Sequence, residues 1–437
     1  MSAATATKRL KMQHFPRRSA AILLLIALTA LLLVRGVVPG LSKIQSDFPD
    51  YLTAAKIVAD GGEVDRLYDN VWFQDQMRRY GTAGPAPGKF APFPPPTALL
   101  LLPLVRLAPL DALRVTTGVS ILCLAAAIVL LARILVWSLL DSAIFVLLSG
   151  YGLINALRFG QPYVLVSLSC IAGYYAYLRG RRAWAGASFG LFAPIKYYPV
   201  VFLLYFACRA EWRVVFAGSI VMAGVIAASV AILGWPIHQD FLGSILGNHL
   251  IARLSLQDPF TASFQSFDTL FRRLFVLDPV LNPHPLLDAP LLQSLGVLCV
   301  KTVILLATLI ALVRLARRDG AAGVAPSIGL LGVVTLLLAP ATASYHFVLL
   351  WLPVALLIDY CLAQGVPVFA YLLLGSYTLI GFFPYGHALP FEGRGALTLL
   401  AYPRLFLCLA LFLVGLYVIW TGSGSTRYER TPPLPAY

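Results

Sequence analysis

Two aspartates three residues apart mark the string Ser46-Asp47-Phe48-Pro49-Asp50-Tyr51. A carboxylate there can take the proton of an attacking hydroxyl. The same spacing reads as a helix start, with Asp47 at the N-cap, Pro49 in the first turn and Asp50 at the third helical position. Far along the chain, Lys196 stands alone in the apolar run FGLFAPIKYYPVVFLLYF. An ammonium in such surroundings costs on the order of 3 kcal/mol on insertion scales unless it is paired or hydrated. Snorkelling to an interface relieves that cost, and so does a cavity that faces an anion. The break Lys196-Tyr197-Tyr198-Pro199 favours the cavity. Arg158, just before Gly160-Gln161-Pro162, either snorkels to lipid phosphate or enters a site. His346 closes the turn Ala339-Pro340-Ala341-Thr342-Ala343-Ser344-Tyr345-His346, where a histidine either bonds at the interface or donates to a phosphate.

The elements that must hold these groups follow from composition. The chain has 437 residues, of which 59% are hydrophobic and 12% charged, with 33 Lys and Arg against 19 Asp and Glu. Soluble domains carry roughly 25% charged residues. Half that share, with a mean hydropathy of +0.82, excludes a cytosolic enzyme, a disordered chain and a disulfide scaffold. It predicts an all-α polytopic membrane protein of about 12 transmembrane helices, each needing about 20 apolar residues. The net charge of +14 fits cytoplasmic loops and lipid headgroups, and no nucleic-acid partner is expected. The six cysteines form no CxxC pair and share no metal spacing with histidine, so no metal or other cofactor is expected.

Basic clusters set the expected topology. The N-terminal stretch carries Lys8, Arg9, Lys11, Arg17 and Arg18 without an acid, and the apolar run from about Ser19 is read as an uncleaved first span. Arg179, Arg181 and Arg182, then Arg314, Arg317 and Arg318, then Arg427 and Arg430 are assigned to the same, cytoplasmic side. Residues 1–421 then form one integral membrane domain with both termini cytoplasmic. Residues 39–112 and 235–290 become large external loops, with 97–107 a shallow or re-entrant helix. Seven acids lie between Asp47 and Asp75 in the first of these loops. Two spans, 183–195 and 197–208, are too short to cross straight, and they flank Lys196 as paired half-helices. The tail 422–437 is predicted to be a disordered cytoplasmic segment.

These pieces, in this order, resemble glycosyltransferase family 87. The string Asp47-Phe48-x-x-Tyr51-x-x-Ala54-Ala55 is similar to the family's first-loop motif. Phe90-x-x-Phe93-Pro94-Pro95 is similar to its aromatic-Pro-Pro segment, with Phe93 where a tyrosine is usual. Gly160-Gln161, followed by RGRRAWAGASFGLFAPIKYYP, resembles its Gly-Gln turn and its basic loop and hairpin, with Pro162-Tyr163 in place of an apolar-Asn pair. Phe264-Gln265-Ser266 with Arg272 or Arg273 resembles its Asn-Gln-Ser…Arg stretch, and the turn ending in His346 fits as well. The resemblance runs over roughly residues 19–362 and rests on the ordered set.

It implies a C-type glycosyltransferase architecture in the plasma (inner) membrane with an extracytoplasmic active site. The implied donor is a polyprenyl-phosphate hexose, with mannose expected, and the acceptor a lipid or glycan. Asp47 is then the general base. Lys196, with Arg158, Arg272, Arg273 and His346, would bind the donor phosphate. Asp50, Tyr51, Phe93, Gln161 and Gln265 would line the substrate cleft. No DxD motif is present, so a nucleotide-sugar and metal mechanism has no support in the sequence. The rival reading is a polytopic transporter or flippase-like protein for a lipid-linked or anionic substrate. Broken helices and a buried lysine suit it; the absence of a visible repeat and the acid-rich loop do not. A protein O-mannosyltransferase would show an early Asp-Glu pair, which this chain lacks.

Overall fold

The computed structural model describes residues 18–84, 87–250, 258–319, 323–384 and 389–422. The N-terminal basic cluster up to Arg17 and the tail from 423 lie outside the described residues. Among the described residues the regular elements are helical, apart from an isolated antiparallel bridge between Asp278 and Asn282. The chain enters as α1 (Arg18–Ser42), then α2 (Phe48–Ala59), α3 (Asn70–Arg79) and α4 (Pro109–Leu135). The middle holds α5 (Leu139–Leu147), α6 (Tyr151–Arg158), α7 (Tyr163–Leu178), α8 (Arg182–Leu191), α9 (Val200–Cys208) and α10 (Trp212–Leu233). The remainder holds α11 (Phe267–Phe275), α12 (Pro290–Arg317), α13 (Val324–Leu338), α14 (Ser344–Ala363), α15 (Pro367–Phe382) and α16 (Pro403–Thr421).

Six of these, α1, α4, α10, α12, α14 and α16, are long and apolar enough to cross a membrane. Helices α5 and α6 make a seventh candidate, broken by a 76° bend. Hydropathy alone predicts one span over 142–157. The bend arises at Gly150, whose φ of +51° is open to glycine and which lies against the backbone of Gly381 in α15. Four more apolar helices are shorter: Pro95–Leu104, α7, α13 and α15. The first of these is a run of 3-10 turns where a shallow helix was expected over 97–107.

Apolar side chains gather in two cores. The larger joins the long helices around Trp351, Phe206, Phe189 and Leu357. The smaller belongs to the first long loop. Phe48, Tyr51, Leu52, Phe73, Met77, Phe90 and Phe93 pack with Leu113 of α4 and Leu233 of α10. Residues 39–112 thus carry a folded layer with its own core, seated on the ends of two long helices.

Helices α8 and α9 are two short helices that flank Lys196. Gly186 lies against the Val214 carbonyl and Gly190 against the Gly218 carbonyl. Both steps are four residues, so α8 runs parallel to α10. The spacing is small-x-x-x-small, which lets helix backbones approach. The chain reverses over residues 192–199 into α9, which joins α10 through a turn with Ala210 at φ +54°, and Leu203 packs on Gly218. The hairpin puts its apex, residues 192–199, against the first-loop layer.

Candidate active site

Asp47 stands at the start of α2, after Ser46 in a left-handed conformation (φ +52°). That conformation is costly for a residue with a side chain and is seen where surroundings impose it. Asp47 is the N-cap residue, as the sequence suggested, yet its side chain makes no cap bond. Its carboxylate turns away from the helix. Oδ2 accepts from Gln161 Nε2 and, at 3.0 Å, from the Tyr345 hydroxyl. Oδ1 accepts from the Ser46 hydroxyl at 3.0 Å.

Gln161 reaches Asp47 because Gly160 turns the chain between α6 and α7. Gly160 has φ +59°, and an added Cβ would stand 2.6 Å from the Phe48 ring. The Gln161 Oε1 accepts from the Tyr51 hydroxyl at 2.9 Å, and that hydroxyl accepts from Lys196 Nζ at 3.4 Å. An ammonium only donates and an ionised carboxylate only accepts. The order Lys196, Tyr51, Gln161, Asp47 therefore has a fixed direction, which also fixes the orientation of the Gln161 amide. One hydrogen-bonded chain joins a cation to a carboxylate across three separate segments.

Lys196 sits at the hairpin apex and is buried. Its Nζ lies over the rings of Phe93 at 4.7 Å, Tyr163 at 5.0 Å and Tyr51 at 5.7 Å. Ring faces stabilise a desolvated ammonium. Among the described residues no carboxylate lies within ion-pair distance of Nζ. The charge is thus held among three rings and the Tyr51 hydroxyl without a pairing acid.

Asp50 differs from a solvated first-turn acid. It is 6% exposed, and one oxygen has no hydrogen-bond partner. Gly88 closes over it, since a Cβ there would come within 2.6 Å of the Asp50 carboxylate. Burial, and then the charge of Asp47, push its pKa well above the usual carboxylate range, against a hydrogen bond from the Lys89 backbone. The Lys89 ammonium is lowered to about 8 by burial, opposed by Asp47 and Asp50.

The family profile that matches this chain is that of glycosyltransferase family 87, over residues 90–340. The match covers more than half of the 437 residues. The chain belongs to glycosyltransferase family 87. No curated protein matches it. As a family 87 member with helices fit to cross a membrane, it is a membrane glycosyltransferase.

The family 87 match contains Phe93, Arg158, Gln161, Lys196, Gln265, Arg272 and Arg273, and it stops short of Asp47 and His346 at either end. The fold brings both end residues in. His346 is buried at the start of α14. Its Nδ1 accepts the Ala343 N–H at 2.9 Å, so in the neutral ring the proton is on Nε2. Tyr163 packs 4.6 Å from the His346 ring and is also one of the faces over Lys196. Phe93 and Tyr163 thus both face the lysine.

The other expected residues are placed elsewhere or at the rim. Arg158 donates to Gln45 at 2.7 Å and stacks on Phe159. Arg273 is held by Glu392 at 2.8 Å and by the carbonyls of Phe260 and Leu281. Gln265 bonds the carbonyls of Ala262 and Ala401 and the Arg404 N–H. The Gln265 contacts brace the second long loop against the start of α16, those of Arg273 tie the loop to Glu392 and to itself, and neither set includes Asp47. Arg272 is buried beside Asp268 on α11, which pairs with Lys301 at 2.6 Å. Tyr345, Tyr163 and Ser46 were not singled out from the sequence. Tyr345 stood inside a quoted motif, but a lone tyrosine beside a histidine carries no signal until the partner carboxylate is located. Among the described residues no three His, Cys, Asp or Glu side chains group closely enough to hold a metal ion.

Proposed function

We propose that the protein moves a hexose, mannose in the first instance, from a polyprenyl-phosphate donor to a lipid or glycan acceptor on the extracytoplasmic side. The observation that carries this reading is the single hydrogen-bonded chain with the carboxylate of Asp47 at one end and the unpaired ammonium of Lys196 at the other. Glycosyl transfer from a lipid phosphate needs these two groups and needs them apart. The acceptor hydroxyl gives its proton to Asp47 as its oxygen bonds to the anomeric carbon. The bond from that carbon to the phosphate oxygen breaks, and its electron pair leaves with the phosphate. The growing negative charge meets Lys196, with the Nε2–H of His346 as a second donor and Arg158 at the rim. The aromatic cage excludes water, which strengthens the attraction.

About twelve crossings in a C-type architecture, with both termini cytoplasmic, complete the reading. The half-helix hairpin under Lys196 supports it, because such hairpins bring a polar point to a membrane-embedded site. The test uses membranes of cells expressing the protein, which supply acceptor, given radiolabelled polyprenyl-phosphate mannose, glucose or arabinose separately. Release of polyprenyl phosphate from the mannose donor, with label passing into acceptor, is expected. Consumption of none of the three, or uptake of intact donor without transfer, would overturn it.

A further inference from the structure

We propose that Tyr345 is a positioning residue that aims the Asp47 carboxylate, holding Oδ2 together with Gln161 and leaving Oδ1 to take the acceptor's proton. The inference rests on the reading of Asp47 as base. Because an ionised carboxylate offers only acceptors, the Tyr345 hydroxyl must be the donor in the 3.0 Å contact. Gln161 donates to the same oxygen from another segment. Two donors from different directions fix both the position and the rotation of the group. Oδ1 is left toward the exposed side, beside the mobile hydrogen of Ser46.

The Tyr345 hydroxyl is itself held. Its ring stacks on Tyr163 at 5.4 Å and meets the edge of Phe159 at 6.5 Å. The next residue, His346, locks the turn through the Ala343 N–H. The α14 turn thus presents to Asp47 a donor with little rotational freedom. A carboxylate fixed this way does not have to be oriented as the proton moves.

The test is a double-mutant cycle on transfer rate in membranes, with the mannose donor at saturation. Tyr345→Phe removes the hydroxyl and keeps the ring, so the packing on Tyr163 and Phe159 survives. We expect kcat to fall about 10- to 100-fold, the range for losing a hydrogen bond to a charged group, with the donor KM unchanged. In the Asp47→Asn background, Tyr345→Phe should cost nothing further, because its effect passes through the base. Equal losses in both backgrounds would overturn the proposal and make Tyr345 a packing or substrate-contact residue. Wild-type kcat in Tyr345→Phe would overturn it too. Full activity in Asp47→Asn would instead remove the base assignment and the inference with it, an outcome the single mutant alone identifies.

Discussion

A carboxylate at a helix start ordinarily caps the helix, and Asp47 does not. Its neighbour Asp50 shows the opposite economy: it is buried, near Asp47, and has a raised pKa. The consequence for stability has a definite sign. A carboxyl whose folded pKa exceeds its unfolded value favours folding most below about pH 3.9, the unfolded value, and the contribution is lost as pH rises through the folded pKa. Asp50→Asn removes the ionisable group and keeps an acceptor for the Lys89 N–H. Thermal unfolding in detergent should therefore show Asp50→Asn at least as stable as wild type at pH 8, with the difference shrinking toward pH 4. A lower midpoint at pH 8 would mean that Asp50 is ionised and paired. Lys196→Gln should lower kcat about 10²-fold and raise the donor KM, since the ammonium meets phosphate in both ground and transition states. Unchanged kinetics would place Lys196 outside the site. At this scale the sequence was legible wherever a charge broke an apolar run, as at Lys196, or matched an ordered motif, as at Asp47 and Gln161. It gave no role to Tyr163 or Tyr345, because aromatic residues are common in such helices and their roles depend on partners in other elements, Lys196 for Tyr163 and Asp47 for Tyr345.

Elements carry the placement of Lys196. Its hairpin is seated by Gly186 and Gly190, whose missing side chains let α8 lie on the backbone of α10. Gly190→Ala puts a methyl group into the Gly218 carbonyl, a backbone atom that cannot swing aside. We expect a loss of about 1–3 kcal/mol, typical of overpacking, together with weaker activity. Gly224→Ala on the same α10 meets nothing within 4 Å and should be neutral or slightly stabilising. Detergent melting curves of the two variants compare them directly, and equal midpoints would contradict the packing account. The short hairpin was legible because its two apolar runs are too brief to cross a bilayer and are interrupted by Lys-Tyr-Tyr-Pro. The bend between α5 and α6 was not, since hydropathy over 142–157 is continuous and only the approach of Gly381 to Gly150 requires the break. The first-loop core was also hidden. Its Phe48, Phe73, Phe90 and Phe93 come from separated stretches with no shared period.

At the scale of the whole molecule, the composition and the long apolar runs made a helical membrane protein legible, and among the described residues six helices meet the length and hydropathy a span needs. Sidedness rests on the basic clusters. In a chain lacking the six native cysteines, a single cysteine at Arg318 should resist an impermeant reagent in intact cells, while one at Asp65 should react. Labelling of position 318 from outside would invert the topology. The site needs every layer of this architecture: the first-loop helix brings Asp47, the α6–α7 turn Gln161, the hairpin Lys196, and α14 Tyr345 and His346. The most direct test of the account is the rate of hexose transfer from polyprenyl-phosphate mannose in membranes carrying wild type, Asp47→Asn or Asp50→Asn at equal expression. The account predicts that Asp47→Asn folds normally and is slower by about 10²–10⁴-fold, the usual loss for a general base, while Asp50→Asn keeps most activity. Full activity in Asp47→Asn, or a dead Asp50→Asn beside an active Asp47→Asn, would contradict it.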